Sequence, residues 1–488
     1  MKTSRHIKVT SLILALILAF TALLSGCGKE TAKVDSNEPY EIVWYNLGDN
    51  TKDKDLVNEE INKYLKEKIN ATVKIIHFSY ADYDEKMKML LASGEVFDLC
   101  YARNFAVNAN NEAYLAIDEL LDSKGQGIKE VIPEEAWSAV KYNGNIYGVP
   151  TMKDWATQYV IGTKVQLNEK YNIDLSNVKQ LSDMEPILDI IKKNEPGVYP
   201  TDLRGNDYVK RLLPFEYIND SVLGAFELDG EYKKIVNWIE TDTAKEFFDM
   251  MHRWYQKGYL RPDADTATTS NDIKFYMNAL ESLPYYEQQT NIGKTEDKKI
   301  KFVNIGNPIT TTSYVQASVQ AISRTSKNPE KTMEFLNLLY TDEYLHNLYV
   351  YGIEGKHYTL DENGAVVLPE NVNTESENDY NGYAYTQGNR FLLNTPPSTP
   401  TDIWDAYKKF NEESFISPAL GFVFDVSELT TEIAAMNNVY KEYMPGLTTG
   451  VLDPEEALPK AIEKFKTAGS DKVMKALQEQ YDAWRAEK

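Results

Sequence analysis

Tyr40–Leu47 reads YEIVWYNL, a run of β-branched and aromatic residues that is typical of a β-strand. Two similar runs follow, ATVKIIH at Ala71–His77 and VFDLCY at Val96–Tyr101. The segments between them, Lys54–Ile69 and Asp82–Ala92, carry apolar side chains at helical spacing. Strands that alternate with helices predict an α/β fold built on a parallel sheet with right-handed crossovers.

The rest of the chain mixes helix and strand signals. Tyr142–Asn145 contains Asn-Gly, which predicts a hairpin turn. Thr241–Lys257 is predicted as an amphipathic helix with a threonine cap, and Asp272–Leu280 as a further helix. The chain closes with a predicted pair of helices at Pro454–Phe465 and Asp471–Arg485.

The N-terminus has the pattern of an export signal. Lys2 and Arg5 precede the apolar segment Leu12–Leu18, and small residues then lead to a cysteine. This exit, Leu23–Cys27, reads LLSGC and resembles the bacterial lipobox. In signals of that kind the thiol is alkylated by diacylglycerol and the chain is cut just before the cysteine.

The resemblance predicts a lipoprotein signal peptide over residues 1–26 and a lipid anchor on Cys27. The polar residues 27–38 are then a flexible tether. An uncleaved membrane helix is the alternative, because residues 7–24 are nearly long enough to span a bilayer.

The net charge and the cysteine count limit the partners and the covalent links that this protein can have. The chain has 488 residues and a formal net charge of −22, and loss of Lys2, Arg5 and Lys8 with the signal takes the charge to about −25. Nucleic acid is therefore not an expected partner, since binding it needs a basic surface. If Cys27 carries lipid, Cys100 has no partner for a disulfide, and we predict a packed thiol there.

Motifs for catalysis and metal binding are scarce. The chain has five histidines, none of them paired at metal-ligand spacing, and it has no Gly-x-Ser-x-Gly elbow. Asp49–Asp55 is acid-rich but lacks the glycine and terminal glutamate of a calcium loop. We predict no catalytic residue, metal or cofactor, although carboxylate pairs in so acidic a chain leave a glycosidase open.

Longer stretches carry a family resemblance. Tyr142–Pro150 (YNGNIYGVP) and Ile322–Thr341 (ISRTSKNPEKTMEFLNLLYT), together with the lipobox and the β-α-β-α-β start, resemble extracellular solute-binding proteins of carbohydrate ABC importers. This is family 1, the large type related to maltose-binding protein. Leu90–Asp98, Tyr351–Tyr358 and Arg390–Thr399 are similar to the LplA-like lipoprotein branch, which has an extra C-terminal domain.

The resemblance implies a two-lobed, periplasmic-binding-protein-like α/β fold of type II with a helical C-terminal extension. Lobe 1 is expected at residues 39–153 and 306–343. Lobe 2 is expected at residues 158–303 and 352–488. The implied crossings between the lobes lie near residues 153–159, 303–308 and 341–352.

Candidate ligand-binding residues lie on loops at the predicted strand ends and crossings. A sugar needs planar side chains for its C–H faces and polar side chains for its hydroxyl groups. The candidates are Trp44, Tyr45, Asp49, Tyr80, Arg103, Asn104, Trp155, Tyr285, Tyr286, Arg390 and Asn394, with Trp404 as a weaker one. Structural roles compete with binding: Trp44 could face the core and Asp49 could cap a helix. Arg390 and Asn394 could equally be structural hydrogen-bonding residues.

The resemblance therefore implies a monomeric receptor, lipid-anchored on the extracellular face of a bacterial cytoplasmic membrane of the Gram-positive type. It would bind an oligosaccharide between its lobes and deliver it to an ABC permease without chemistry on the ligand. An exported, surface glycan-acting enzyme is one alternative. The same receptor fold binding a peptide or another polar metabolite is the other.

Overall fold

The structure is a computed structural model and describes residues 38–49, 51–204, 209–218, 223–268, 274–370, 372 and 378–488. The predicted signal peptide, Cys27 and nearly all of the predicted tether lie outside these residues. Within the described ranges, no helix is both long and apolar enough to cross a lipid bilayer.

The strands of the described residues follow in chain order. They are β1 Tyr40–Leu47, β2 Ala71–Phe78, β3 Leu99–Tyr101, β4 Lys141–Tyr142, β5 Asn145–Ile146, β6 Val149–Pro150, β7 Thr157–Lys164, β8 Tyr199–Thr201, β9 Phe215–Tyr217, β10 Gly224–Glu227, β11 Val236–Asn237, β12 Phe275–Ser282, β13 Ile300–Thr310, β14 Val319–Ile322, β15 Thr359–Leu360, β16 Val366–Val367 and β17 Phe415–Ile416.

The α-helices follow in the same way. They are α1 Lys54–Ile69, α2 Tyr83–Ser93, α3 Phe105–Asn110, α4 Asp118–Lys124, α5 Gln126–Val131, α6 Glu134–Trp137, α7 Val165–Lys170, α8 Glu185–Asn194, α9 Asp242–Gln256, α10 Tyr286–Asn291, α11 Thr312–Gln316, α12 Pro329–Thr341, α13 Glu343–Tyr351, α14 Ile403–Glu412, α15 Thr430–Thr449, α16 Pro454–Thr467 and α17 Ser470–Glu487.

Local sequence sets several helix starts. Thr241 caps α9, because its hydroxyl oxygen accepts the Ala244 N–H at 3.2 Å. Asn328 caps α12 by accepting the Lys331 N–H at 3.1 Å, and Pro329 occupies the first turn, where no N–H is needed.

The first sheet has the strand order β2-β1-β3-β14-β6. Strands β1, β2 and β3 are parallel, with Trp44 opposite Ile75 on one side and Leu99 on the other. Strands β14 and β6 extend the sheet in antiparallel pairing. The β-α-β-α-β start predicted from the sequence is confirmed, and the carboxyl ends of β1, β2 and β3 meet at one edge.

The second sheet has the order β17-β13-β7-β12-β8. Strand β7 lies at its centre, antiparallel to both β12 and β13. The helix predicted at Asp272–Leu280 is wrong, because Phe275–Ser282 forms β12 and pairs with β7 and β8. Strand partners on both sides override the helical preference of the Met, Ala, Leu and Glu in this segment.

Two hydrophobic cores surround these sheets, and we name the two parts of the molecule the first and second lobes after them. The first core draws on residues 42–155 and 315–350. The second draws on residues 161–305 and 419–481. The chain passes from the first sheet to the second between β6 and β7, and returns between β13 and β14 through α11.

Two predicted boundaries need correction. The crossing expected near residues 341–352 falls in α13, whose Leu345 and Tyr349 are buried in the first core. Tyr380 and Leu393, expected in lobe 2, are also buried in the first core. Their apolar side chains pack beside α13, so this part of the C-terminal region covers the first lobe.

The helical C-terminal extension is present and belongs to the second lobe. Helix α15 packs against α9 and α16, and α17 closes the group. Buried side chains of all three helices, such as Met444, Phe465 and Leu477, enter the second core. A three-stranded sheet of order β11-β10-β9 lies in the same core.

Candidate functional site: an interlobe cleft

The cleft floor is built where the chain first leaves the first sheet. Met152 pairs with Asn389 in a parallel bridge. The Met152 N–H donates to the Gly388 carbonyl, and the Arg390 N–H donates to the Met152 carbonyl, both at 2.9 Å. Two backbone bonds therefore hold Arg390 beside the first crossing, although the two segments lie far apart in the sequence.

Arg390 is the centre of a group that we name the Arg390 cluster, with Asp154, Tyr385, Trp404 and Tyr407. Its guanidinium pairs with the Asp154 carboxylate and donates to the Tyr385 hydroxyl at 2.7 Å. Its central carbon lies 4.0 Å from the ring centre of Tyr385, 5.2 Å from that of Trp404 and 5.6 Å from that of Tyr407. Cation–π contacts and the ion pair hold these planar groups in fixed orientations.

A cavity of about 400 Å³ opens beside the Arg390 cluster. Both lobes contribute to its wall: Gln289 and Ile292 come from the tip of the second lobe, and Val350 and Tyr351 from the first. Its size is within the range of small-ligand sites. Aromatic rings and a guanidinium facing such a space can cover a flat apolar surface and donate hydrogen bonds at its edge.

A second polar–aromatic group, the Tyr159 cluster, consists of Tyr159, Arg211, Glu281 and Tyr314. Arg211 donates to the Tyr159 hydroxyl at 3.3 Å, and that hydroxyl donates to the Glu281 carboxylate at 3.2 Å and contacts the Tyr314 hydroxyl. Burial raises the pKa of Tyr159 above its ordinary value, so the hydroxyl stays protonated at neutral pH.

The Tyr159 cluster borders another cavity of about 510 Å³, also lined by Glu216, Tyr217 and Phe415. Burial raises the pKa of Glu216 to about 7, although the Ser417 hydroxyl donates to its carboxylate at 2.9 Å. This cavity therefore combines ring faces with a carboxyl group that is readily protonated.

Lys153 lies between the two clusters. Its ammonium group donates to the Asp154 carbonyl at 3.0 Å, and burial lowers its pKa. The negative charges of Asp154 and Glu281 counter this effect, while the positive charge of Arg390 adds to it. Asp154 of the Arg390 cluster lies between β6 and β7, and Tyr159 lies in β7, so both clusters lie beside the first crossing.

The carboxyl ends of the first-lobe strands form a more exposed rim. Tyr80 is 70% exposed, and the Arg103 guanidinium lies 4.4 Å from the centre of its ring. Arg103 also pairs with Asp84 at 3.3 Å. At the end of β1, the Asp49 carboxylate accepts a hydrogen bond from Tyr383 at 2.8 Å. These predicted residues are accessible, and their side chains offer hydrogen-bond donors and acceptors for the hydroxyl groups of a ligand.

Two predicted aromatic contacts, those of Trp44 and Tyr45, are wrong because both rings are buried in the first core, and Trp155 lines a different cavity from the one beside Arg390. Trp44 has no exposed surface, and its indole N–H donates to Gln320 at 2.9 Å inside the first core. Tyr45 is packed between Phe78 and Phe97. Trp155 is 3% exposed and donates to the Thr151 carbonyl at 3.0 Å. It lines an apolar cavity of about 380 Å³ but not the cavity beside Arg390.

Asn394 is also a structural residue. Its side-chain amide donates to the Gly364 carbonyl at 2.8 Å, and its backbone N–H donates to the Asn347 side chain at 2.9 Å. These bonds tie the β15–β16 hairpin to α13. Asn104, in contrast, is exposed at the start of α3 with a left-handed φ of 53°.

Tyr285 and Tyr286 lie at the tip of the second lobe. The Tyr285 hydroxyl donates to the Asp402 carboxylate at 2.7 Å, which links this tip to the loop before α14. Tyr286 is partly exposed and packs on Phe302. Both residues line a separate cavity of about 500 Å³. Gln289 and Ile292 of the same tip, and not these two tyrosines, line the cavity beside Arg390.

Several residues of the site have no strong sequence signal. Tyr385 and Asp154 lie in irregular segments, and Tyr159, Glu281 and Tyr314 occupy separate elements. Trp404 and Tyr407, three residues apart on α14, share a helix face, and that spacing could have indicated a paired aromatic surface.

Sequence comparison agrees with this architecture. A family model described as bacterial extracellular solute-binding protein matches residues 60–353. A carbohydrate ABC transporter substrate-binding protein of Streptococcus pneumoniae serotype 4 is 31% identical over 480 residues, which is 96% of each chain. This chain belongs to the bacterial extracellular solute-binding protein family. A second model, described as a domain of unknown function, matches residues 418–486 of this solute-binding protein.

Solved structures extend the likeness. A crystal structure of the N-glycan transport solute binding protein NgtS from S. pneumoniae matches with a TM-score of 0.81 and 29% identity, covering 91% of this chain and 98% of that one. NgtS in complex with Man5GlcNAc matches with a TM-score of 0.67 and 30% identity, covering 92% and 99%. The two-lobed α/β fold of this solute-binding protein is thereby confirmed.

Proposed function

We propose that this solute-binding protein captures an oligosaccharide between its lobes and delivers it to an ABC permease. The observation that carries the proposal is the Arg390 cluster, in which a guanidinium and three aromatic rings border a cavity walled by both lobes. Ring faces suit the C–H surfaces of a sugar, and guanidinium N–H groups suit its hydroxyl oxygens.

Relatives support sugar as the ligand class. The S. pneumoniae relative is named for carbohydrate transport, and NgtS is named for N-glycan transport and solved with two glycans. The charges within the cleft also favour a neutral ligand, because Asp154 already pairs with Arg390, and Arg211 and Glu281 both bond to Tyr159.

Closure on the ligand is the second part of the proposal. The TM-score falls from 0.81 for NgtS with no glycan named to 0.70 with Man1GlcNAc and 0.67 with Man5GlcNAc, although identity and coverage hardly change. A difference between structures of one protein is a difference of conformation. The fall in TM-score supports a hinge motion that closes the lobes around a bound glycan. The lobe arrangement of this protein is more similar to that of NgtS with no glycan named.

The protein acts without chemistry on the ligand and as a monomer, held at the extracellular face of the membrane by lipid on Cys27. Mass spectrometry of the chain purified from membranes tests the anchor. A diacylglyceryl group on Cys27, with nothing N-terminal to it, is expected. An unmodified chain that begins at Met1 contradicts it.

Calorimetry against a panel of neutral oligosaccharides, acidic oligosaccharides and peptides tests the function. We expect binding to a neutral oligosaccharide, a smaller radius of gyration on binding and an unchanged glycan afterwards. Peptide binding alone contradicts the ligand class, and shortened glycan products contradict the receptor role. Absence of both binding and compaction contradicts the whole proposal.

Replacing Arg390 by Lys tests the cluster itself. Lysine keeps the charge but loses the planar, multidentate donor set, so we expect Kd to rise about thirtyfold, or about 2 kcal/mol. Replacing Arg324, which forms an exposed ion pair with Glu112 in the first lobe, by Lys is the matched control and should leave Kd unchanged. Equal affinities for both variants would contradict a role for Arg390 in binding.

A further inference from the structure

Residues 417–425, which we name the interlobe segment, enter the C-terminal domain and pack into both lobes. Leu420 is buried in the first core. Its neighbours Ala419 and Phe422 are buried in the second core. The lobes cannot separate at this point without withdrawing an apolar side chain from one of the two cores.

Gly421 allows the closest approach between the segment and the first lobe. Its φ is +99°, and a Cβ atom there would lie 2.8 Å from the carbonyl oxygen of Ser138. Its N–H donates to the Thr312 hydroxyl at 2.9 Å. Gly421 is thus enclosed between Ser138 of the first lobe and Thr312 of the return crossing, in a space and a conformation that only glycine fits.

Asp425 makes a second contact, farther from the crossing. Its carboxylate accepts a hydrogen bond from the Asn110 side chain of the first lobe at 3.3 Å. Its own backbone N–H and carbonyl bond to the Gln480 side chain, both at 2.9 Å. The last helix of the chain therefore presents this carboxylate to the first lobe.

Aromatic packing makes the segment a firm extension of the C-terminal helices. The ring centre of Phe422 lies 5.1 Å from that of Tyr481 and 5.8 Å from that of Trp484, both on α17. Because packed protein interiors do not deform freely, a displacement of the first lobe that moves the interlobe segment also moves α17 and the C-terminal helices packed with it.

We propose that the domain at residues 418–486, which a family model describes as a domain of unknown function, braces the two lobes and limits their swing. Leu420 and Gly421 act as the pivot, since they are buried and lie next to the return crossing. The Asp425–Asn110 contact is the stop that favours the arrangement seen here. The chain crosses between the lobes a third time between Leu393 of the first core and Ala419 of the second, so the interlobe segment lies at this third crossing. Its contacts with Ser138 and Asn110 of the first lobe add the brace to that crossing.

Interlobe distances measured without ligand test the brace and are independent of any sugar binding. Spin labels at Glu67→Cys in the first lobe and Lys298→Cys in the second occupy exposed positions. The protein made for labelling also has the substitution Cys27→Ser, so that the buried Cys100 is its one remaining native thiol. Pulsed electron paramagnetic resonance then gives the distance distribution for the parent and for each variant.

Gly421→Ala is the main variant, and Gly144→Ala is its matched control. Gly144 also has a positive φ, +81°, but nothing lies within 4 Å of the position of its Cβ. Both variants place a Cβ atom on a residue with positive φ, and only Gly421→Ala brings that atom against the other lobe. We expect a shifted and broader distance distribution for Gly421→Ala and the parent distribution for Gly144→Ala.

Asp425→Asn gives a second, milder test that does not depend on tolerance of the first variant. It keeps the oxygen that accepts the Ser427 N–H at 2.9 Å but replaces the acceptor facing Asn110 by a donor. We expect a broader distribution with an unchanged melting temperature. Parent-like distributions in Asp425→Asn and in folded Gly421→Ala would overturn the brace, as would an equal change in Gly144→Ala.

Discussion

Two aromatic–polar groups of the first lobe and its crossing use similar residues for opposite purposes. The Trp44 network joins Trp44, Gln320, Phe335 and Tyr349 inside the first core, and Trp44 and Gln320 have no exposed surface. In the Arg390 cluster, Tyr385 is 52% exposed and its ring borders a cavity. The difference teaches that accessibility, and not residue type, separates a structural ring from a binding ring.

The largest expected effect is on stability and tests the buried Trp44 network. Trp44→Ala removes a fully buried ring and leaves the side-chain oxygen of Gln320 without the indole N–H that donates to it, so we expect the free energy of unfolding to fall by about 3–5 kcal/mol. Denaturant unfolding measures it. Glycan affinity of the folded fraction should stay at the parent value, and a large loss of affinity would place Trp44 in the binding site after all.

Glu216 lies between the two cases of this comparison, because it is half-buried and lines a cavity as Tyr385 does. Its pKa rises from 4.5 unfolded to about 7 folded, so its contribution to stability is complete below pH 4.5 and is lost as the pH rises to about 7. At about 1.4 kcal/mol per pKa unit, the loss is about 3 kcal/mol.

Glu216→Gln cannot titrate, so the parent should lose this stability relative to the variant between pH 4.5 and 7. Denaturant unfolding of both proteins across that range measures the difference. The comparison with the variant removes the contribution of His77, whose pKa is lowered to about 4 by burial and which titrates in both proteins. Parallel pH profiles would contradict the shifted pKa of Glu216.

Tyr385→Ala tests the accessible ring of the Arg390 cluster. Loss of the ring face should raise Kd about tenfold, or about 1.4 kcal/mol, with only a small change in stability. Tyr344→Ala is the matched control, since Tyr344 is 57% exposed on the first lobe, contacts the ring of Tyr64 and does not line the cavity beside Arg390. Calorimetry with one glycan separates them, and equal affinities would remove Tyr385 from the site.

The smallest expected effect concerns the rim. Tyr80 is the most exposed of the predicted aromatic residues, and its ring contacts Arg103. Tyr80→Ala should raise Kd no more than about twofold, because rim contacts remain hydrated. A tenfold loss by calorimetry would extend the binding surface to the strand ends of the first lobe.

The sequence predicted some residues of the candidate site correctly and misplaced others. Asp49, Tyr80 and Arg103 were predicted from strand ends, and the structure leaves their side chains at that edge. Arg390 was predicted from a family likeness, and the structure surrounds it with rings. Trp44 and Trp155 were assigned by their chemistry, which is the same in a core as in a cleft.

The sequence by itself determined the alternating strands and helices of the first sheet, the acidic charge and the resemblance to solute-binding proteins. Each of these depends on local pattern or composition. Only the tertiary structure decided which rings are accessible, that β12 is a strand, and that residues 383–407 join the first crossing. Such outcomes depend on contacts between segments that are far apart in the sequence, as β12 with β7 and Arg390 with Asp154, and local propensity carries no information about those partners.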